Sequence, residues 1–456
     1  MKKILRGGTI INANGRRMAD VLIDGEKIEK IGENLVCKDA EIIDVSGKLL
    51  FPGFIDAHTH FDLDVCNTTT ADDFYTGGRS ALRGGTTMVI DFACPNKGET
   101  LQYGLELWHK KAEGKTACDY GFHMTIDDWN EGIIEELPKM FEQGISSFKM
   151  YMTYPAMMLG DEAMFKALRK MKELGGIAGV HCENAGVIDA LIAEHKEAGK
   201  LAPDAHPACR PSILEAEAIS RLLKMAEVAD VPVVIVHLSS EAGLREVEAA
   251  RARGQKVYVE TCPHYLLLDD SLYSLPDFGG AKYVCAPPLR KDEDAEALWN
   301  ALESGAVQTI STDHCSFTLK QKDAGRDDFT KIPGGMPGVE TRGVLLYTYG
   351  VVNDRISAER MVELLSEAPA KLYGVYPRKG RIAEGADADI VVYDPNGVSK
   401  LSASDQVCNV DYAPYEGYEI SGHIAQVYLR GKLCVDEGKV LEDRGGQYIP
   451  RGKCRL

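Results

Sequence analysis

Between residues 50 and 312 short apolar runs alternate with amphipathic ones, and this alternation constrains the fold more than any other feature. Eight runs have the length and make-up of buried strands: Leu50–His58, Thr87–Phe92, Asp119–Thr125, Ser146–Met150, Ile177–His181, Val233–His237, Lys256–Thr261 and Gln308–Thr312. Between them, Asp161–Leu174 puts Met164, Leu168 and Met171 on one helical face. Ser212–Ala229 does the same with Ile219, Leu222, Leu223 and Ala226. Strands each followed by a helical stretch predict an α/β fold, a (β/α)8 TIM-type barrel. A doubly wound open sheet is the alternative, but no Gly-rich dinucleotide loop follows an early strand.

The two ends read differently. Lys3–Arg6, Thr9–Ile11, Val21–Ile23, Lys27–Ile31 and Ile42–Ile43 are short strands separated by Asn-Gly, Asp-Gly and Ser-Gly turns. The same texture returns in Ala388–Tyr393, Ala425–Leu429 and Lys432–Val435. The expected organisation is a small β-sandwich from residues 1–50 and 377–440, a barrel over 51–376 and a tail over 441–456. The tail is polar and Gly-rich and is expected to lie over a neighbouring subunit.

With 45% hydrophobic and 27% charged residues the chain is a soluble globular type. A net charge of −17 excludes nucleic acid and anionic membrane as main partners. No apolar run reaches the ~18 residues that span a bilayer, and the start lacks the apolar core of a signal peptide. Twelve scattered cysteines include no CxxC pair, and Cys118, Cys182, Cys262 and Cys285 sit in apolar runs. Buried free thiols in a reducing cytoplasm are expected.

In a barrel of this kind chemistry sits where strands end. The first strand closes on His58-Thr-His60, whose alternate side chains project to one face and can grasp one ion. The fifth ends at His181, the sixth at His237 and the eighth at Asp313. Four imidazoles and a carboxylate suit Zn2+, with Mn2+ or Fe2+ as alternatives. A single histidine closing a strand is more often a satisfied polar residue, and only the five together argue for a metal centre. His123, His264 and His314 stay unassigned. His109, His195, His206 and His423 lie in helical or surface contexts and carry no assignment. Lys149, at the end of the fourth strand, has three readings on residues alone: a snorkelling side chain, a substrate clamp, or a lysine carbamylated by CO2 into an anionic oxygen donor.

Taken together these segments resemble the amidohydrolase superfamily, and within it the dihydropyrimidinase and D-hydantoinase (phenylhydantoinase-like) family. The resemblance runs over nearly the whole chain, through Gly53-Phe-Ile-Asp-Ala-His-Thr-His60, Ser147-Phe-Lys149-Met-Tyr-Met-Thr-Tyr154, Val180-His-Cys-Glu-Asn184, Val236-His-Leu-Ser239, Glu260-Thr-Cys-Pro-His-Tyr265, Ala286-Pro-Pro-Leu-Arg290, Thr312-Asp-His314 and Met336-Pro-Gly-Val-Glu340. It implies two divalent ions bridged by N-carboxylated Lys149. His58, His60 and Asp313 would hold one ion, and His181 and His237 the other. A hydroxide bridging the ions would attack a cyclic amide or ureide at its C–N bond, with Asp313 as the proton carrier and Tyr154 as donor to the oxyanion. The implied substrates are dihydropyrimidines or 5-substituted hydantoins, and the implied assembly is a homo-oligomer, a dimer or tetramer.

Two positions depart from the family pattern. Ala286 stands where the family usually has Ser, and Gly334 where it usually has Asn. Family members hold the ring at these two positions mainly through backbone groups, so Ala286 and Gly334 keep ring binding while removing side-chain support. Asp62 and Asp64 replace the apolar residues hydantoinases commonly present after the first strand, which favours a polar or cationic side group or else marks a solvated loop. Met152, Met157 and Met158 form either an adaptable apolar wall or ordinary packing. Allantoin or a purine is the alternative ring; dihydroorotate is disfavoured, because no Arg follows His60. A non-enzymatic dihydropyrimidinase-related assembly protein is the remaining reading, and the complete ligand set argues against it.

Overall fold

The computed structural model describes residues 2–441 and 444–456; Met1, Glu442 and Asp443 lie outside the described residues. Eight parallel strands run in sequential order: Phe54–Thr59, Thr86–Ala93, Asp119–Thr125, Ser147–Tyr151, Ile177–His181, Val233–Ile235, Val257–Thr261 and Thr309–Ile310. A parallel bridge between Thr59 and His314 closes the ring, with His60 N–H donating to the His314 carbonyl at 2.8 Å. Buried Arg342 fastens the same seam, donating to the Ile55 and Ile310 carbonyls at 2.9 and 2.8 Å. The chain is thus a (β/α)8 barrel. The helices Asp161–Leu174 and Ser212–Ala229 cover its outside and bury the apolar faces read from their periodicity. Among the described residues no helix is long and apolar enough to cross a membrane.

The run Leu50–His58 is not one strand. Leu49–Pro52 leaves the barrel and pairs antiparallel with Ile390–Tyr393, and the barrel strand begins only at Phe54. Proline cannot donate to a ladder, and at Gly53 a Cβ would meet Thr87 Oγ1 at 2.1 Å, so Pro52-Gly53 is where the chain changes sheets.

Both ends meet in one nine-stranded sheet. Lys3–Asn12 pairs with Gly15–Asp24 and with Leu49–Pro52, which joins Ile390–Lys400, Glu419–Leu429 and Lys432–Asp436 in turn. Leu5, Val21, Ile23, Leu50, Ile390, Val392 and Tyr428 give this sheet a core of its own. Its junction with the barrel is polar. Lys379 Nζ lies 2.7 Å from Asp119 of the third barrel strand, 2.5 Å from Asp389 and 3.3 Å from Asp387. These carboxylates stand close enough together to hold a cation, and the buried ammonium supplies it.

The described part of the tail packs on its own barrel. Buried Ile449 hydrogen-bonds Tyr120, Arg451 reaches Ser147 Oγ at 2.7 Å and the Phe122 carbonyl, and the Leu456 carbonyl accepts from Tyr258 Oη at 2.7 Å. All twelve cysteines are free, and Cys118, Cys182, Cys262 and Cys285 are buried.

Candidate metal centre

Five strand ends bring their polar residues to one point. Asp313 Oδ1 lies 3.1 Å from His58 Nε2 and 3.0 Å from His60 Nε2. The His58 and His237 ring centres are 5.4 Å apart, and those of His237 and His181 are 4.6 Å apart. Lys149 Nζ sits 3.5 Å from His58 Nε2, between the rings of Phe92 and Tyr151, each 5.1 Å away. Three of these backbones are forced into the left-handed region: Tyr154 at φ 67°, His237 at 39° and Asp313 at 50°. Such conformations in residues with a Cβ cluster where the surrounding fold holds a site in place.

Second partners orient the rings. His58 Nδ1 meets Glu260 Oε1 at 2.6 Å, leaving Nε2 to face the centre, and Glu260 Oε2 accepts from Ser311 at 2.8 Å. His181 Nε2 meets Glu183 Oε2 at 2.7 Å, and the same oxygen accepts from Arg210 at 2.6 Å. Carboxylates behind imidazoles in this way fix the tautomer of a metal ligand and raise its basicity. Burial opposes ionisation of Asp313, yet His58 and His60 hold its carboxyl well below the ordinary range.

The donor set fits divalent metal. His58, His60 and Asp313 offer ligand atoms within 4.8 Å of one another. Buried His60 Nδ1 and His237 Nδ1 have no hydrogen-bond partner among the described residues. Lys149 is 1% exposed, which rules out the snorkelling reading. Burial pushes its amine down to about 8, so a neutral nucleophilic nitrogen is accessible in a nest of imidazoles.

Tyr154 lies beside this cluster, its ring 5.2 Å from His181 and 5.7 Å from the Arg210 guanidinium. Burial pushes the phenol up, which keeps it a proton donor. Its loop is a tight turn, with Met157 and Met158 N–H donating to the Tyr154 carbonyl, and Lys97 pins that turn through the Pro155 carbonyl at 2.9 Å. Met152 is buried in the core, while Met158 is exposed. After the first strand, Lys111 lies 4.0 Å from Asp62 and 3.6 Å from Asp64, and Thr69 donates to Asp64 at 2.6 Å. Lys111, on the helix Leu101–Ala112, thus offsets part of the loop's acidity from outside it.

Gly334 is exposed, and a Cβ there would meet nothing within 4 Å. Its neighbours run beside the eighth-strand end, the Cys315 N–H donating to the Met336 carbonyl at 3.2 Å. Gly335 N–H donates to the Val284 carbonyl at 2.8 Å, tying this segment to the one holding Ala286. His123 and His314 are engaged elsewhere: His123 with Ser147 and the Ala57 carbonyl, His314 with Asp72 and two backbone N–H groups. His264 is buried with Nε2 lacking a partner among the described residues. His206 lies in the short helix Ala205–Ala208, buried, where it meets the Cys285 carbonyl at 2.7 Å. Sequence reasoning also missed Glu183, Arg210 and Glu260. The Glu183-Asn184 and Glu260-Thr261 segments flanking recognised motifs were the available signal.

Residues 49–434 match the model of the amidohydrolase family. The D-hydantoinase of Geobacillus stearothermophilus is 44% identical over 99% of this chain and 97% of its own length. A D-phenylhydantoinase of Escherichia coli is 40% identical over 99% of this chain and 98% of its own. The crystal structure of the dihydropyrimidinase from Brevibacillus agri NCHU1002 superposes with a TM-score of 0.99 at 43% identity, covering 100% of both chains.

Proposed function

The chain belongs to the amidohydrolase family, and from that premise we propose that it opens a cyclic amide or ureide, a dihydropyrimidine or 5-substituted hydantoin, at the ring C–N bond. The observation that carries this reading is the convergence of four imidazoles, Asp313 and a buried amine that has no carboxylate ion-pair partner among the described residues. In it, His58, His60 and Asp313 would hold one divalent ion and His181 and His237 the other, and Lys149, N-carboxylated by addition of CO2 to its neutral amine with loss of a proton, would supply an anionic oxygen donor to them. The ions, Zn2+ with Mn2+ or Fe2+ as alternatives, supply Lewis acidity and a water ionised near neutral pH.

The protein's own groups do the rest. Asp313 takes the proton of the attacking water and passes it to the departing ring nitrogen. Tyr154 donates to the oxygen on which charge develops, and the backbone at half-buried Ala286 and exposed Gly334 holds the ring amide. Glu260 and Glu183 keep His58 and His181 turned to the centre. We take residues 1–50 with 377–440 as the sandwich, 51–376 as the hydrolase barrel and 441–456 as the tail. We read the protein as a cytoplasmic dimer or tetramer, a reading supported by twelve free thiols and by Ile213 and Val228, exposed on one helix.

The test is ring opening by metal-loaded protein offered dihydrouracil, hydantoins, allantoin and oxidised purines. Loss of dihydrouracil or a hydantoin with formation of the carbamoyl amino acid is expected. Opening of allantoin or a purine alone would move the substrate class, and a metal-replete protein that opens none would favour the assembly-protein reading.

A further inference from the structure

The three segments that meet at the ring-binding face, 284–286, 313–315 and 333–336, are laced together by main-chain bonds, and one side chain sits at their centre. Lys322 Nζ donates to the carbonyls of Pro333 and Gly335 at 2.8 Å each and of Val284 at 3.2 Å. An ammonium has three donors and no acceptor, so this set uses it completely. The side chain is 1% exposed, and among the described residues no carboxylate lies within ion-pair distance. An apolar side chain of similar length would fill the same space without taking a charge out of water. The charge is therefore accounted for by what it holds.

What it holds is the backbone on either side of Gly334 and two residues before Ala286. The Pro333–Gly334 peptide is trans, so a carbonyl turned toward Lys322 turns the Gly334 N–H to the opposite side. Gly334 itself is exposed, and a Cβ on it would meet nothing within 4 Å. His206 fixes the Cys285 carbonyl, and Gly335, at φ 145°, fits against Cys315, where a Cβ would come within 2.3 Å of the carbonyl oxygen. Ala286 offers a methyl and Gly334 no side chain at all, so recognition of a ring amide here runs through peptide groups that must be held from behind.

We propose that Lys322 is a positioning residue for substrate: by gathering these carbonyls it fixes the peptide groups around Ala286 and Gly334 that grip the ring. The inference rests on the cyclic-amide reading above. Its test compares Lys322→Met with wild type, using whichever of dihydrouracil and hydantoin the wild type opens. KM is expected to rise about tenfold or more, with kcat within about threefold and the bound metal per chain unchanged. Lys322→Gln, which keeps two donors, should fall between the two. Unchanged KM in a folded variant overturns the inference, as does a loss of metal or of kcat that accounts for the change. If neither variant folds, the role is structural and the inference fails. Wild type that opens no ring refutes the reading itself, whereas active wild type with an indifferent variant refutes only the role of Lys322.

Discussion

Lys149 and Tyr154 make opposite demands on one small volume. The lysine is a base whose proton burial loosens, down to about 8, and the tyrosine is an acid that burial keeps protonated. If Lys149 carries the proposed carboxylate, replacing it by Ala should remove bound metal together with activity; acetate or propionate should restore part of both, read by metal analysis and turnover. A Lys149→Ala protein with full activity would end that role. Tyr154→Phe should lower kcat by about 10²-fold with KM changed only a few-fold, the pattern of a donor acting on developing charge. At this scale the sequence was readable where chemistry and position coincide: the ligand candidates all close apolar runs. It was silent on Glu260 and His206 because their partners, His58 and Cys285, lie far along the chain, and on Glu183 because an alternating His181–Glu183 pair does not show that the carboxylate turns back onto the ring.

Among the elements, the loops after strands carry most of what is individual about this protein. The turn bearing Tyr154 has little packing of its own at Met158 and is tied down by Lys97 from the loop after the second strand. Lys97→Met should loosen it and lower kcat/KM about fivefold, equivalent to one ordinary hydrogen bond, with metal content unaltered. A variant with wild-type kcat/KM would mean the turn holds itself. The helices Asp161–Leu174 and Ser212–Ala229 matched their periodicity because each buries a single stripe. The first strand did not: Leu50–Ile55 reads as one apolar run, and only the Pro52-Gly53 break marks where one sheet gives way to another.

For the molecule as a whole, Lys379 is the charge that lets barrel and terminal sheet share a buried acidic junction. Burial lowers its proton affinity, but Asp389 and Asp119 more than reverse this and raise it above the ordinary 10.5. A raised cationic group contributes stability that is fully present below its unfolded value, here about pH 10.5, and is lost only above it. Lys379→Met should therefore destabilise the protein by about 3–5 kcal/mol at neutral pH, seen as a lower denaturation midpoint. Burial already raises the Asp389 carboxyl. Without its partner it holds its proton in the folded state to a higher pH than in the unfolded one, so the deficit should be widest near pH 7 and narrow toward pH 5. A deficit independent of pH would point to lost packing alone. The junction escaped sequence reading because Asp119, Lys379, Asp387 and Asp389 look like surface charges until the two sheets are put together.

The pairing of Pro52 with Ile390 also sets a clock. During synthesis the amino-terminal strands emerge early, yet the strand that completes their ladder follows only after the barrel has been made. At ~5–20 residues per second the edge at Leu49–Pro52 waits tens of seconds without its neighbour. A nascent chain halted before Ile390 would expose that edge, the kind of surface on which unfinished chains pair with one another. For this protein, slowing translation between Pro52 and Ile390 is therefore expected to lower the soluble yield while leaving the stability of the finished fold unchanged.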